Sequence, residues 1–455
     1  MKTWKEMLRD KQFLKTFLFL TLPIALQNLL TTGVNLLDNI MIGRLGEASI
    51  ASVALANQYF FVLNLILFGL CSGCSVFTAQ FLGKGDYANI RRVLWVNIVT
   101  GATVGALFMA GALAAPRGIM RIFTDDMEVV GLGMGYLLII AFSYVPTAIS
   151  FAFSFSLKST ARTRLPLAMA GMSLCINGAL NYILIFGKCG VPAMGVRGAA
   201  LATTITRVIE MIVTLILVYR FVPELALKVK DAMGITRDFI RRLIVTSAPV
   251  LANESLWGLG VCLYSLVYGR MGTDTVAAVN IAMTVEKLLN IFMFGMGNAA
   301  AVMIGREMGQ SNFALGRKYG KRFSILALTA GVIIGGVLIL ISPFILRIFT
   351  VTEYVRTMSL QVLVVIGALM VVRNYNHINI VGTLRSGGDT RFCLLLDLVG
   401  VWCISLPLVF VSGMLLRWPI AVVYLMFFGE EFFKAICIRV RMKGDRWLNN
   451  LVEDL

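Results

Sequence analysis

Roughly a dozen runs of about 20 apolar residues, separated by short segments that hold most of the charge, dominate this chain of 455 residues. A helix rises about 1.5 Å per residue, so a run of that length crosses the ~30 Å hydrocarbon layer of a membrane. Lipid offers the backbone no hydrogen bonds, and within a single run only a helix satisfies its own peptide groups. Composition agrees, because 58% hydrophobic and 14% charged residues exceed what a water-soluble domain of this size carries. The expected fold class is an all-α integral membrane protein with twelve transmembrane helices. They are placed near 14–38, 50–78, 93–115, 130–156, 165–187, 197–219, 243–268, 276–304, 323–342, 358–383, 392–412 and 419–438. Glycine, at 42 residues, suits the close helix packing that membrane bundles use.

A net charge of +17 raises the question of a nucleic-acid partner, and the placement of the charge answers it. The Lys and Arg residues concentrate in both tails and in alternate loops, near residues 83, 160, 230, 312 and 387. The positive-inside rule makes those segments cytoplasmic, with both termini inside and the chain multi-pass in the inner cell membrane. The basic charge then orients the chain against anionic lipid, and no nucleic-acid partner is expected. The first apolar run begins near Phe13, lacks a small-residue cleavage site and carries Gln27, Asn28, Asn35 and Asp38, so it reads as a retained helix. The eight cysteines are scattered. Cys71 and Cys74 have no second pair or histidines with which to complete a zinc site. No cofactor is expected.

An internal repeat organises the chain. At an offset of 226 residues, 23–83 aligns with 249–309 without a gap, and 15 of the 61 positions are identical. The matches include Pro23 with Pro249, Gly43-Arg44 with Gly269-Arg270, Gly69 with Gly295 and Gly83 with Gly309. Six spans per half is an even number, so both halves enter the membrane in the same orientation and form two pseudo-symmetric bundles around a central cleft. The expected division is an N-terminal bundle over 1–220, a basic cytoplasmic connector over 221–242 and a C-terminal bundle over 243–455.

An ionised carboxylate at the bilayer centre costs roughly 2.5–3.5 kcal/mol on insertion scales, so each acid inside a span needs a base, a proton or a bound cation. Arg207 with Glu210, and Glu430 with Lys434, sit three and four residues apart and neutralise each other on one helix face. Asp38 and Glu254 have no base within a turn, and the repeat sets Tyr264 and Asn28 opposite them. This asymmetry points to function. His377 is a candidate proton relay, and Asp397 joins the acids of the second half. Asn177 and Asn181 share a face of the fifth span. With Asp38 and Thr203 they make either an all-oxygen pocket for a hard cation such as Na+, or a polar network that a proton switches.

These residues fall in motifs that resemble the multidrug and toxic compound extrusion (MATE) family. The motifs are Pro23 followed by Asp38 and the Ile42-Gly43-Arg44-Leu45-Gly46 turn, the stretch from Gly195 to Thr203, and the loop from Leu384 to Arg391. The resemblance runs through nearly the whole chain. It implies export of diverse, often cationic and aromatic compounds in exchange for Na+ or H+, by alternating access. It also implies that Asp38 is the acid of an N-lobe cation site, with Asn177 and Thr203 as companions. Asn181 stands where many members carry a second aspartate, Asn374 stands where some carry an acid in the tenth span, and Glu254 resembles their acid in the seventh. Ion binding at Asp38 is then expected to bend or repack the first span, where Pro23 removes a backbone hydrogen bond. Small organic molecules and membrane lipid are the expected partners of a monomer that is not an enzyme. A flippase for lipid-linked saccharides is the alternative.

Overall fold

The computed structural model describes residues 6–7, 9–349 and 351–455. No strand occurs among them, and eleven helices are long and apolar enough to cross a membrane. In the first half these are α1 (Lys11–Gly43), α2 (Glu47–Lys84), α3 (Tyr87–Ala114), α4 (Met127–Ser159), α5 (Arg164–Phe186) and α6 (Gly195–Phe221). The second half contributes α7 (Arg237–Met271), α8 (Thr273–Gly309), α9 (Phe313–Ile348), α10 (Glu353–Leu384) and α11 (Thr390–Leu415). The twelfth expected span is α12, which is broken at Phe428 into Ile420–Phe427 and Gly429–Lys443. Its second piece carries Glu430, Glu431 and Lys434 buried against other helices, so its polarity faces protein rather than lipid. The protein is therefore an all-α multi-pass membrane protein with six helices per repeat.

Contacts divide the chain into two units. One holds Leu26–Thr78 and Gly85–Ile244; the other holds the described residues up to Ala25, Ala79–Lys84 and Val245–Leu455. Two continuous helices thus contribute to both units. In α1 the change falls between Ala25 and Leu26, just after Pro23, and in α2 it falls between Thr78 and Ala79.

The stretch between the repeats is docked on the first unit. Within it, the short helix Val229–Met233 places Asp231 against Arg91 of α3 at 2.6 Å, and Trp95 Nε1 donates to the Lys228 carbonyl at 3.3 Å. The Arg91 guanidinium holds the Asp231 carboxyl below the usual carboxylate range.

In the second unit the last turns of α2 cross α8 through small residues. A side chain at Gly83 would meet the Arg306 carbonyl, one at Gly309 would meet the Gln80 carbonyl, and one at Gly305 would come 2.7 Å from the Ala79 methyl. Each contact maps onto its mate under the 226-residue offset: 79 with 305, 80 with 306, 83 with 309. The crossing is therefore symmetric under the repeat offset, and its Ala-x-x-x-Gly and Gly-x-x-x-Gly spacing lets the two backbones touch.

The segment after α12 breaks that symmetry. Gln80, fully buried, donates to the carbonyls of Ser386 and Asn449 at 3.0 and 3.2 Å and accepts from Leu451 N–H at 2.7 Å. Lys84 Nζ donates to three carbonyls, those of Val452, Glu453 and Leu455, at 2.8–3.2 Å. Trp447 and Val452 of this strap are themselves fully buried.

Candidate functional site

Five helices of the first unit turn polar residues toward one interior cavity of about 320 Å³. On α1 the face runs Gln27, Thr31, Asn35, Asp38; on α5, Ser173 and Asn177; on α6, Thr203, Arg207, Glu210, Thr214. Spacings of three and four residues keep each set on one side of its helix. Ser150 and Ser154 of α4 and the amides Asn57 and Asn64 of α2 complete the polar wall.

Asp38 lies half-buried on this wall. The Asn181 amide nitrogen donates to its carboxylate and also to Asn177 Oδ1 at 3.0 Å, and Asn177 Nδ2 donates to Thr203 Oγ1 at 3.4 Å. The structure thus brings Asp38, Asn177, Asn181 and Thr203 into one chain of hydrogen bonds. Asn177 and Asn181 are almost wholly buried, so the amides are held in place. Asp38 has no ion-pair partner among the described residues. The chain departs from an all-oxygen pocket in one respect, since an amide N–H and not a carbonyl meets the carboxylate. Among the described residues no three His, Cys, Asp or Glu side chains converge as a metal site, so a cation here would rely on Asp38 and neutral oxygens.

Farther along the same wall Arg207 Nη1 stands 2.8 Å from Glu210 Oε2, which also accepts from Ser173 Oγ at 3.0 Å. The pairing follows the expected three-residue spacing.

The candidates in the second half are distributed differently. Glu254, which has no base nearby in sequence, meets Arg385 at 2.8 Å. Arg385 follows the π-helical run Ile378–Leu384 that ends α10, and its position was not readable from α7. Asp397 lies 2.8 Å from Lys434 and accepts from Asn253 Nδ2 at 2.8 Å. Lys434 also reaches Glu430 at 3.1 Å, so the expected pair on α12 is a three-member group. Asn376 Nδ2 donates to Glu431 at 2.6 Å, and Arg373 pairs with Glu286 at 2.5 Å. His377 packs its ring edge-on against Phe294, and its Nε2 finds no hydrogen-bond partner among the described residues. Glu286, Arg373, Arg385 and Glu431 escaped the sequence reading as site members because their partners lie on other helices.

The MatE family profile matches residues 23–183 and 249–411, one match per repeat. The chain belongs to the MatE family. It is 25% identical over 454 residues to the uncharacterized transporter YisQ of Bacillus subtilis, covering 96% of each chain. It is 28% identical over 411 residues to the probable multidrug resistance protein NorM of Bradyrhizobium diazoefficiens, covering 88% of this chain and 86% of that one. Its fold is similar to that of the Vibrio cholerae MATE transporter VcmN, solved as the D35N mutant, with a TM-score of 0.87, 17% identity and coverage of 96% and 98%. MatE membership makes this a membrane transporter rather than a member of a catalytic class, and its two matched segments coincide with the two repeats.

Proposed function

We propose that the protein is a cation-coupled antiporter that exports organic, cationic or amphiphilic compounds across the inner membrane by alternating access, with both termini in the cytoplasm. The observation that carries the coupling is Asp38: a carboxylate on a cavity wall inside the membrane, held by an amide and without an ion-pair partner among the described residues. Such a group is unfavourable when ionised and empty, so its occupancy by a proton or Na+ is tied to conformation. Its helix passes from one unit to the other just after Pro23, where the missing N–H makes a change of curvature inexpensive. The resemblance of the chain to NorM proteins described as probable multidrug resistance proteins supports the substrate class. Glu254, His377 and Asp397 then serve substrate or coupling in the second half, where Glu254 and Asp397 already hold bases.

The test is transport of a fluorescent organic cation into proteoliposomes with sodium and pH gradients imposed separately. Asp38→Asn is expected to abolish gradient-driven accumulation while leaving the protein folded. Accumulation by Asp38→Asn at the wild-type rate would sink the reading.

A further inference from the structure

Arg207 and Glu210 neutralise each other, and both stand on the cavity that holds Asp38. A purely structural pair would be expected between packed helices, away from any space. Here the face of α6 continues from Thr203, through the pair, to Thr214, about 16 Å along the helix axis. That covers about half the hydrocarbon depth. The far end of the cavity, at Ser154, Leu157, Pro166 and Thr214, approaches the ends of α4, α5 and α6 that carry the basic loops.

A second observation is independent of the pair. Ser150 Oγ, Asn181 Oδ1 and Gln27 Oε1 are buried without a hydrogen-bond partner among the described residues, and Ser150 and Gln27 line the cavity itself. A buried hydroxyl or amide oxygen left unpaired costs about 1–3 kcal/mol. A polar cavity with room for several waters supplies the missing partners.

We propose that the Arg207–Glu210 pair is a second proton-handling station in this cavity, joined to Asp38 by water. This rests on the reading of Asp38 as the coupling acid. The titratable groups on the cavity wall are Asp38, Tyr136, Arg207 and Glu210. Tyr144 and Lys158 of α4, and Arg164, Cys175 and Tyr182 of α5, do not line it. Cavity water passes a proton between the two carboxylates by exchange of O–H bonds, and the Glu210 carboxylate offsets the guanidinium beside it. In the assigned step the O–H bond of protonated Asp38 breaks, the proton passes along cavity water, and an O–H bond forms on Glu210. Glu210 then releases the proton to water at the basic-loop end and regains Arg207 as an ion pair.

The experiment compares wild type, Glu210→Gln, the double variant Arg207→Gln/Glu210→Gln and Asp38→Asn in proteoliposomes, recording uptake against pH on the basic-loop side. Both Glu210 variants are expected to slow pH-driven uptake by at least about tenfold and to flatten its pH profile, with dye binding unchanged. The double variant removes both charges and so keeps the fold neutralised. If it transports with the wild-type rate and profile, the pair is structural and the proposal is overturned. Uptake that needs sodium and ignores pH also overturns it, while loss of activity in Asp38→Asn would leave the coupling role of Asp38 standing. The conduit is probed separately by Thr214→Cys in a background with the native cysteines replaced. Modification by a small impermeant thiol reagent from the basic-loop side is expected, and an inert thiol overturns the hydrated route.

Discussion

Glu254 and Asp38 look alike in the sequence, each an acid in an apolar run with no base within a turn, and tertiary structure separates them. Glu254 faces the guanidinium of Arg385, which is almost wholly buried; Asp38 accepts from the Asn181 amide and has no ion-pair partner among the described residues. The consequence is testable on stability. Arg385→Met leaves a buried carboxylate without its counter-charge and is expected to cost about 3–5 kcal/mol, seen as a lower midpoint of thermal unfolding in detergent. The double variant Glu254→Leu/Arg385→Met is expected to recover most of that loss, because two apolar groups replace two desolvated charges. An Arg385→Met protein as stable as wild type would mean that Glu254 is neutral in the folded state. Lys434 shows the same logic in a larger group, since one ammonium serves both Asp397 and Glu430.

Between helices, the crossing of α2 and α8 depends on hydrogen atoms in place of side chains at Gly83 and Gly309. Gly309→Val would press a branched side chain on the Gln80 backbone, where no rotamer relieves the clash. We expect loss of folded protein, or destabilisation of at least about 3 kcal/mol, read by size-exclusion thermostability. Gly33 on α1 has no atom within 4 Å of an added methyl. Gly33→Ala is therefore the control, expected to leave stability equal or higher by about 0.5–1 kcal/mol. The wide turns at Ile378–Leu384 of α10 and Val399–Ser405 of α11 follow His377 and Asp397 closely. Such π-helical turns redirect side chains at functional sites, and no residue pattern in these apolar runs announces them.

At the scale of the whole molecule, the crossing of 79–83 with 305–309 joins positions that are equivalent under the repeat, and the strap beyond α12 ties one arm of that crossing down. Removing residues from Trp447 onward would take the Asn449 acceptor and the Leu451 donor from the buried Gln80 amide and all three carbonyls from the Lys84 ammonium. The buried Gln80 Oε1 left without its donor costs about 1–3 kcal/mol, so a lower thermal midpoint is expected, and a truncated protein with the wild-type midpoint would show that the strap is dispensable. Twelve apolar runs, their repeat, and the grouping of Asp38 with Asn177, Asn181 and Thr203 were all legible in the sequence. Length and periodicity report helices because lipid forces each run to satisfy its own backbone, and the motifs from Pro23 to Gly46 and from Gly195 to Thr203 carried the family. What the sequence left open were the partners of Glu254, Asp397, Glu286 and Glu431, the strap over Gln80, and the shared cavity that places Arg207 and Glu210 beside Asp38. Each joins residues on different helices, in several cases more than 100 positions apart, and such pairing depends on how helix faces rotate and pack. Hydropathy along one helix does not encode that rotation; only the assembled bundle decides which face meets which.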